Sequence, residues 1–343
     1  MQKVAIIGLG FMGTMHAQIY KQLRDATLVA VVDKQQAKAK RDLAKLGIEA
    51  AVFGTLEDML KKCEVDVVDI CLPTDLHAPL ALKAIAAGKH LFCEKPLAMT
   101  KADGKKIATA AKKAGIFFQV GQCIRFWPEY MAFEEFVKSR KAGKLLSLSL
   151  QRRAGRPAYS AEDWLNNGAR SGGAALDLHI HDTDYVHHLL GRPEAVTSTG
   201  TQDKTGWSHI FTTYHFKEVA VTAEGGWNYP KNWGFQMAFQ AIFERGAVEF
   251  DSSANPTLVA TIGDGKKQPL SYKNPGAGES STGTGNLSSL GGYYNELDAF
   301  ITCLQKKKAP KIATGDQAAE SLATVLAEIE SATTRRTIKI SQN

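Results

Sequence analysis

The stretch "VAIIGLGFMG", residues 4–13, decides the fold of the N-terminal half. Its apolar start predicts a buried strand, and Gly8, Gly10 and Gly13 follow in the spacing G-x-G-x-x-G. The first glycine permits a tight turn, the second lets the backbone approach a pyrophosphate, and the third lets a helix pack against the strand. The spacing therefore predicts a strand, a turn and a helix whose N-terminus faces phosphate groups. The predicted cofactor-binding residues of this turn are Gly8, Gly10, Phe11, Met12 and Gly13.

A second apolar run, Leu28–Val32, ends at Asp33, twenty residues after Gly13. A carboxylate at this place accepts hydrogen bonds from the adenosine ribose and repels a 2′-phosphate, which favours NAD over NADP. Lys34 follows directly and offsets part of that repulsion, so NADP stays open as a cofactor. The alternative is a glycine-rich turn that binds no nucleotide.

Further apolar runs (Val65–Leu72, His90–Cys93 and Ile116–Val120) alternate with helical patterns such as "LHAPLALKAIAAG", residues 76–88. This alternation predicts a doubly wound parallel sheet, the α/β Rossmann architecture, over residues 1–122. After residue 122 a helix near 129–141 leads into period-two runs such as "LLSLSLQRR" and "HIFTTYHF". They predict a second α/β domain, residues 123–343, with a large open antiparallel sheet. Within it, residues 274–292 predict a mobile loop, and two helices follow near 293–305 and 315–331.

The composition narrows the function classes. With 343 residues and 44 % hydrophobic side chains, the chain has enough apolar material for two cores. We expect no secretion signal, because the N-terminus "MQKVAIIGLG" enters an apolar strand at once. We expect no membrane contact, because no apolar run approaches the ~20 residues that span a bilayer. The five cysteines lie in or beside apolar segments, which is typical of reduced thiols in a cytoplasmic protein. The net charge is +7, but the basic residues form no continuous stripe, so we expect no nucleic-acid partner.

Several polar segments follow predicted strands and should meet at the carboxyl edge of the first sheet, where ligands bind. They are the glycine turn, Asp33, "PTD" (73–75), "EKP" (94–96) and Gly121. Lys95 leaves a buried strand toward this edge, Glu94 beside it can fix its position, and Pro96 restricts its backbone. A lysine there would stabilise an alkoxide on a reacting substrate or pass on a proton. The alternative is an exposed lysine before a proline turn.

The stretch "LDLHIHDTD", residues 176–184, is the second candidate for chemistry. On one continuous helix Asp177, His181 and Asp184 share a face, while His179 and Asp182 point elsewhere. That split speaks against a metal cluster of all five side chains, so no metal site is expected. The interpretation is proton transfer, with His181 as the general base because its reference pKa is about 6.5. A metal site and a purely structural capping role are the alternatives.

The residues also resemble a known family. The segments "GLGFMGTMHAQIY", "CLPTDLHAPLALKAIAAGKHLFCEKPLA", "SGGAALDLHIHDTD" and "LATVLAEIESATTRRTIKI" are similar to members of the glucose–fructose oxidoreductase/inositol dehydrogenase (Gfo/Idh/MocA) family, nearly end to end. The resemblance implies an oxidoreductase that transfers a hydride between NAD(P) and a secondary alcohol or ketone of a sugar or cyclitol. It also implies a C-terminal sheet that forms contacts in a homodimer or homotetramer.

The resemblance assigns roles to individual residues. Lys95, Asp177 and His181 would be catalytic, and Asp184 would contact substrate. Pro73, Thr74 and His77, with Glu94 and Lys95, would border the cofactor. The segment from Gln122 to Phe126, with Arg125, matches a variable substrate-facing loop, and His179 stands where many members have glycine.

Other substrate contacts are hypotheses: Arg152, Arg156, Trp164, Trp227, Asn228, Trp233 and Tyr294. The aromatic residues among them could equally be interface or sheet-edge side chains. Two other functions stay open: an NAD-dependent glycosidase of the same fold, and a non-enzymatic regulator that senses nucleotide.

Overall fold

A computed structural model describes residues 1–273 and 291–341. The N-terminal half forms a six-stranded parallel sheet in the order β3-β2-β1-β4-β5-β6. Its strands are β1 (Gln2–Ile7), β2 (Ala26–Val32), β3 (Ala51–Phe53), β4 (Val67–Ile70), β5 (His90–Glu94) and β6 (Phe118–Gly121). The helices between them are α1 (Phe11–Gln22), α2 (Gln36–Leu46), α3 (Leu56–Lys62), α4 (His77–Ala86) and α5 (Lys101–Ala114). The order reverses at β1, so the predicted doubly wound parallel sheet is confirmed.

The second half holds a nine-stranded sheet in the order β14-β13-β12-β11-β7-β10-β9-β8-β15. Its strands are β7 (Leu145–Gly155), β8 (Ala195–Asp203), β9 (Gly206–His215), β10 (Ala220–Tyr229), β11 (Phe235–Phe243), β12 (Gly246–Asp251), β13 (Leu258–Ile262), β14 (Gln268–Pro269) and β15 (Ile338–Lys339). Its helices are α6 (Pro128–Ser139), α7 (Gly168–Ser171), α8 (Gly173–Asp177) and α9 (Ile180–Leu190).

This second sheet is mixed, which corrects the prediction of an antiparallel one. Strands β7 and β10 are parallel neighbours, whereas the other pairs are antiparallel. The chain leaves β7, crosses through α7 to α9, and returns by the β8–β9 hairpin, so that β10 runs in the same direction as β7. A crossover of this length is what parallel neighbours require, and period-two patterning does not reveal it.

The last two helices join the halves. Helix α10 (Gly291–Gln305) places Leu297 and Phe300 against the α1 side of the first sheet. Helix α11 (Gly315–Thr334) places Leu322 against the other side, while Ala327 belongs to the core of the second half. Two helices from the C-terminal end of the chain therefore cover both faces of the first sheet, and α11 also packs on the second half.

Most of the predicted loop at 274–292, residues 274–290, lies outside the described residues, and its last two residues begin α10. Among the helices described, none is long and apolar enough to cross a bilayer.

Candidate active site

The glycine turn forms an open cradle at the start of α1. A Cβ on Gly13 would lie 1.9 Å from the carbonyl oxygen of Gly8, so only glycine permits this close packing of helix and turn. At Gly10, by contrast, a Cβ would meet nothing within 4 Å. The N-cap of α1 has no side-chain hydrogen bond, so the amides of its first turn are available to an anion. These features fit the pyrophosphate of a dinucleotide.

Asp33 ties this turn to the end of β2. Its Oδ2 accepts a hydrogen bond from the Leu9 amide at 2.9 Å, and its Oδ1 accepts one from the Gln35 amide at 2.7 Å. Each carboxylate oxygen keeps room for a second donor, such as a ribose hydroxyl. Lys34 beside it is exposed, and its cofactor contact stays a prediction.

The turn after β4 brings Pro73 and Thr74 to the same edge. Thr74 is 1 % exposed, and its hydroxyl has no partner within the described parts of the chain. His77 is different, because both ring nitrogens lie 2.8 Å from backbone carbonyls, those of Pro96 and Leu72. The buried ring therefore holds the two turns together, and its place beside the cofactor stays a prediction.

Lys95 forms the link between the two halves at the crevice. Its Nζ donates to the carbonyl oxygen of Asp177 at 2.8 Å and lies 3.2 Å from the Asp177 Oδ1. The lysine and aspartate side chains are 15 % and 12 % exposed, so they remain accessible at the bottom of the crevice. Glu94 is nearly buried, and its Oε2 accepts from the Lys95 amide at 3.1 Å. Glu94 thus fixes the backbone of Lys95, as expected.

His181 stands one irregular turn beyond Asp177. The predicted single helix is interrupted between α8 and α9, where the His179 amide bonds to the carbonyl of Ala174, five residues back. Wide turns of this kind are frequent at functional sites. His181 is 8 % exposed, and its Nδ1 has no partner among the residues described.

The surroundings keep His181 uncharged. Burial, followed by the positive charges of Lys95 and Arg152, lowers the pKa of His181 well below its ordinary value. The imidazole is therefore neutral at neutral pH, which is the form that accepts a proton from a hydroxyl.

Asp184 and Arg125 are paired with each other, and their predicted substrate contacts stay predictions. Arg125 donates to both Asp184 oxygens at 2.7 Å, and the Ser321 hydroxyl donates to Oδ1 at 2.7 Å. Both charged side chains are at most 2 % exposed. Because the pair is satisfied and buried, it anchors α9 to α11.

Asp182 forms a second anchor of the same kind. Arg152, 1 % exposed, donates from Nε and one terminal nitrogen to the two Asp182 oxygens, each at 2.9 Å. Arg152 is thus held by Asp182, its charge acts on His181, and its contact with substrate stays a hypothesis. Arg156 likewise pairs with Asp203, and Asn228 bonds to His209.

His179 faces the underside of the second sheet. Its Nε2 lies 3.1 Å from Glu328 and 3.3 Å from the Thr212 hydroxyl, and its ring fills the space above Gly225. The two histidines of "HIH" thus point into different surroundings, which fits the split predicted from helical spacing.

The aromatic residues proposed as substrate contacts differ in their burial. Trp164 packs on a small cluster with Leu165 and Trp227, and the buried indole nitrogen of Trp227 has no partner among the described residues. Tyr294 is half-buried on α10 against the core of the first half, and Trp233 is 51 % exposed. The substrate contacts of Trp164 and Tyr294 remain predictions.

Two residues without an assigned role lie at the crevice. Gln122 is 1 % exposed, and neither its amide oxygen nor its amide nitrogen has a partner in the described chain. The ring of Tyr159 packs against that of Phe11, with the centroids 5.2 Å apart and the planes tilted by 48°, and the negative charge of Asp177 acts on its hydroxyl. Gln122 directly follows β6 at the carboxyl edge of the sheet, and this position could have identified it as a site residue. Nothing in the local sequence identifies Tyr159.

Comparison with known proteins agrees with this geometry. Residues 2–122 match the model of the Gfo/Idh/MocA oxidoreductase family with an NAD-binding Rossmann fold, and residues 130–249 match the C-terminal domain of the same family. The inositol 2-dehydrogenase of Rhizobium meliloti is 26 % identical over 98 % of this chain and 99 % of its own. The myo-inositol 2-dehydrogenase of Thermotoga maritima is 33 % identical, but the match spans only 55 % of each chain.

Among solved structures, levoglucosan dehydrogenase in complex with NADH and levoglucosan superposes with a TM-score of 0.85. The identity is 20 %, and the match covers 99 % of this chain and 100 % of that one. This likeness shows the fold. The two family matches together span most of the sequence, and the chain belongs to the Gfo/Idh/MocA oxidoreductase family, with an NAD-binding Rossmann domain at its N-terminus.

Proposed function

We propose that the protein is an NAD-dependent dehydrogenase that oxidises a secondary alcohol of a sugar or cyclitol, or reduces the matching ketone. The observation that supports this most is the meeting of Lys95, Asp177 and a neutral His181 in one crevice, beside the glycine turn. The dehydrogenase names of the relatives agree with it. Residues 1–122 bind the cofactor, and residues 123–343 bind substrate and mediate assembly.

Three side chains divide the chemistry. His181 accepts the proton of the reacting hydroxyl, since its imidazole is neutral. The Lys95 ammonium stabilises negative charge on the same oxygen. Asp177 orients Lys95 and accepts a hydrogen bond from a neighbouring substrate hydroxyl. The nicotinamide, when bound, supplies the hydride acceptor.

The cofactor fits the residues on the opposite wall. The amides at the start of α1 would hold the pyrophosphate, and Asp33 would hold the ribose hydroxyls. Thr74 and Gln122 offer polar atoms that lack partners in the described structure, and these atoms could face the nicotinamide end or the substrate.

Location and assembly are part of this proposal. Five unpaired cysteines support a reducing compartment, hence the cytoplasm. The outer face of the nine-stranded sheet carries exposed Phe211 and Ile242, which are 49 % and 54 % exposed and support a homodimer or homotetramer through that face.

The test is a panel of cyclitols, aldoses, amino sugars and sugar acids, each mixed with purified protein and NAD or NADP. The proposal predicts nicotinamide reduction with at least one polyol, faster with NAD than with NADP. If a nitrophenyl glycoside is cleaved without net cofactor reduction, the glycosidase is the correct function instead. If no nicotinamide is reduced or oxidised in either direction although NAD binds, the proposal fails.

A further inference from the structure

A cluster of buried polar side chains, called the polar chamber below, lies next to the turn that carries Lys95. It is formed by His16 on α1, Glu94 at the end of β5 and Glu296 on α10, whose facing atoms lie within 4.8 Å of one another. His16 and Glu296 are fully buried, and Glu94 is 4 % exposed. The His16 Nε2, the Glu94 Oε1 and both Glu296 oxygens have no hydrogen-bond partner among the residues that the structure describes. Buried polar atoms are rarely left unpaired. The four unpaired atoms therefore indicate a small bound molecule, such as water, or a proton shared by the three groups.

The charge of His16 is set from its other side. Its Nδ1 lies 2.8 Å from Asp69 Oδ2 and 3.3 Å from the Cys71 sulfur, and the Tyr20 hydroxyl donates to the same Asp69 oxygen at 3.0 Å. Burial lowers the pKa of His16, but the contacts with Cys71 and Asp69 outweigh it, and the net shift is well upward. The imidazolium therefore lies between two carboxylates, since Glu94 Oε1 is 3.3 Å from Nε2.

The charges around His16 favour a neutral Glu296, because one imidazolium cannot offset three carboxylates. The single imidazolium offsets only one of Asp69 and Glu94, and a third carboxylate would add a second uncompensated charge in a closed interior. Burial and the nearby Glu94 raise the pKa of Glu296 well above its ordinary value. The remaining groups that face it, Tyr20, Cys123 and Tyr293, have raised pKa values, chiefly through burial, and are neutral.

We propose that Glu296 is a neutral carboxylic acid that, together with His16 and Glu94, encloses one internal water and so holds Glu94 against the backbone of Lys95. The acid proton and the imidazolium supply the donors, and a water at the centre bridges oxygens that stand too far apart for direct bonds. Glu94 is thereby fixed at Oε1, while its Oε2 accepts from the Lys95 amide. Glu296, on helix α10, is thus a positioning residue for Lys95 and acts on it through Glu94.

The first test does not depend on any substrate. Infrared spectra of the whole protein at about pH 8, above the reference pKa of carboxyl groups, should show a protonated-carboxyl band. The band should disappear in Glu296→Gln and persist in Glu330→Gln, whose side chain is exposed on α11. Purified wild-type protein should contain no stoichiometric metal. Absence of the band in wild type, its persistence in Glu296→Gln, or one bound metal ion that Glu296→Gln removes would each overturn the inference.

The second test rests on the proposed function and measures positioning. Glu296→Gln keeps a neutral group of the same size and should retain kcat within about threefold, whereas Glu296→Leu removes the partners of the water and should lower kcat about tenfold. The Kd for NAD should stay unchanged in both, because Glu296 itself is fully buried on α10 and is not one of the predicted cofactor-binding residues. If Glu296→Gln is as impaired as Glu296→Leu, the neutral-acid assignment is wrong. If both variants fail to fold, the wild-type infrared band and metal content still decide.

Discussion

Two pairs of side chains in residues 176–184 differ in their exposure and in their partners. Asp177 and His181 reach the crevice, where each whole residue is 8 % exposed, and the Nδ1 of His181 has no partner in the described structure. Asp182 and Asp184 are fully buried, and each is held by an arginine from a distant part of the chain. Aspartates of one short stretch thus have two roles: Asp177 lies beside the proposed chemistry, whereas Asp182 and Asp184 anchor the helix. The two roles differ in the partner of the carboxylate. Asp182 and Asp184 each form an ion pair with a buried arginine, whereas Asp177 does not.

The largest expected effect is on the chemical side of this comparison. Lys95→Met removes the ammonium that faces Asp177 and should lower kcat by about 10²–10⁴, because both oxygen stabilisation and proton transfer suffer. Steady-state kinetics with the best substrate of the panel measure it. Lys101→Met, an exposed lysine at the start of α5, is the control. Near wild-type turnover of Lys95→Met would remove Lys95 from the catalytic set.

On the anchoring side, stability rather than turnover should respond. Arg125→Met leaves Asp184 buried without its charge partner and should lower the free energy of unfolding by about 3–5 kcal/mol. Urea unfolding measures the loss, with the exposed Arg24→Met as the control. The double variant Arg125→Met/Asp184→Leu should recover much of it, since an apolar pair needs no compensation. If Arg125→Met is as stable as wild type but has a raised KM, Arg125 and Asp184 bind substrate and do not anchor the fold.

Spacing along the chain predicts only what local geometry decides. The glycine turn, Asp33 and Lys95 were predictable because each follows a strand whose carboxyl end must lie at one edge. The anchoring of Asp182 and Asp184 was not, since their partners Arg152 and Arg125 lie 30 and 59 positions away. The interruption between α8 and α9 and the parallel β7–β10 pair are likewise set by tertiary packing, which no short pattern records.

A smaller effect concerns the cofactor. Asp33→Ala removes the acceptor of ribose hydroxyls and the repulsion of a 2′-phosphate, so the preference for NAD over NADP should fall about tenfold. The ratio of the two kcat/KM values is the readout, because loss of the Leu9 hydrogen bond should weaken both cofactors alike. An unchanged ratio would contradict the role of Asp33 in cofactor choice.

The smallest effect is a displacement of the pH profile. Burial and nearby cations lower the pKa of His181, so the free enzyme keeps its neutral base as the pH falls through about 6.5, the reference value. The acid limb of kcat/KM should therefore lie below that pH. A limb centred near the reference value would show that His181 titrates like an exposed histidine.

The most direct test of the division within residues 176–184 compares His181→Gln with Asp182→Asn, each by turnover and by unfolding. The account predicts that His181→Gln loses kcat by about 10² or more while its unfolding free energy stays near wild type. Asp182→Asn should instead lose about 3 kcal/mol of stability, with kcat per folded enzyme within about tenfold of wild type. If Asp182→Asn abolishes turnover in a stable protein, or His181→Gln retains full turnover, the division is wrong.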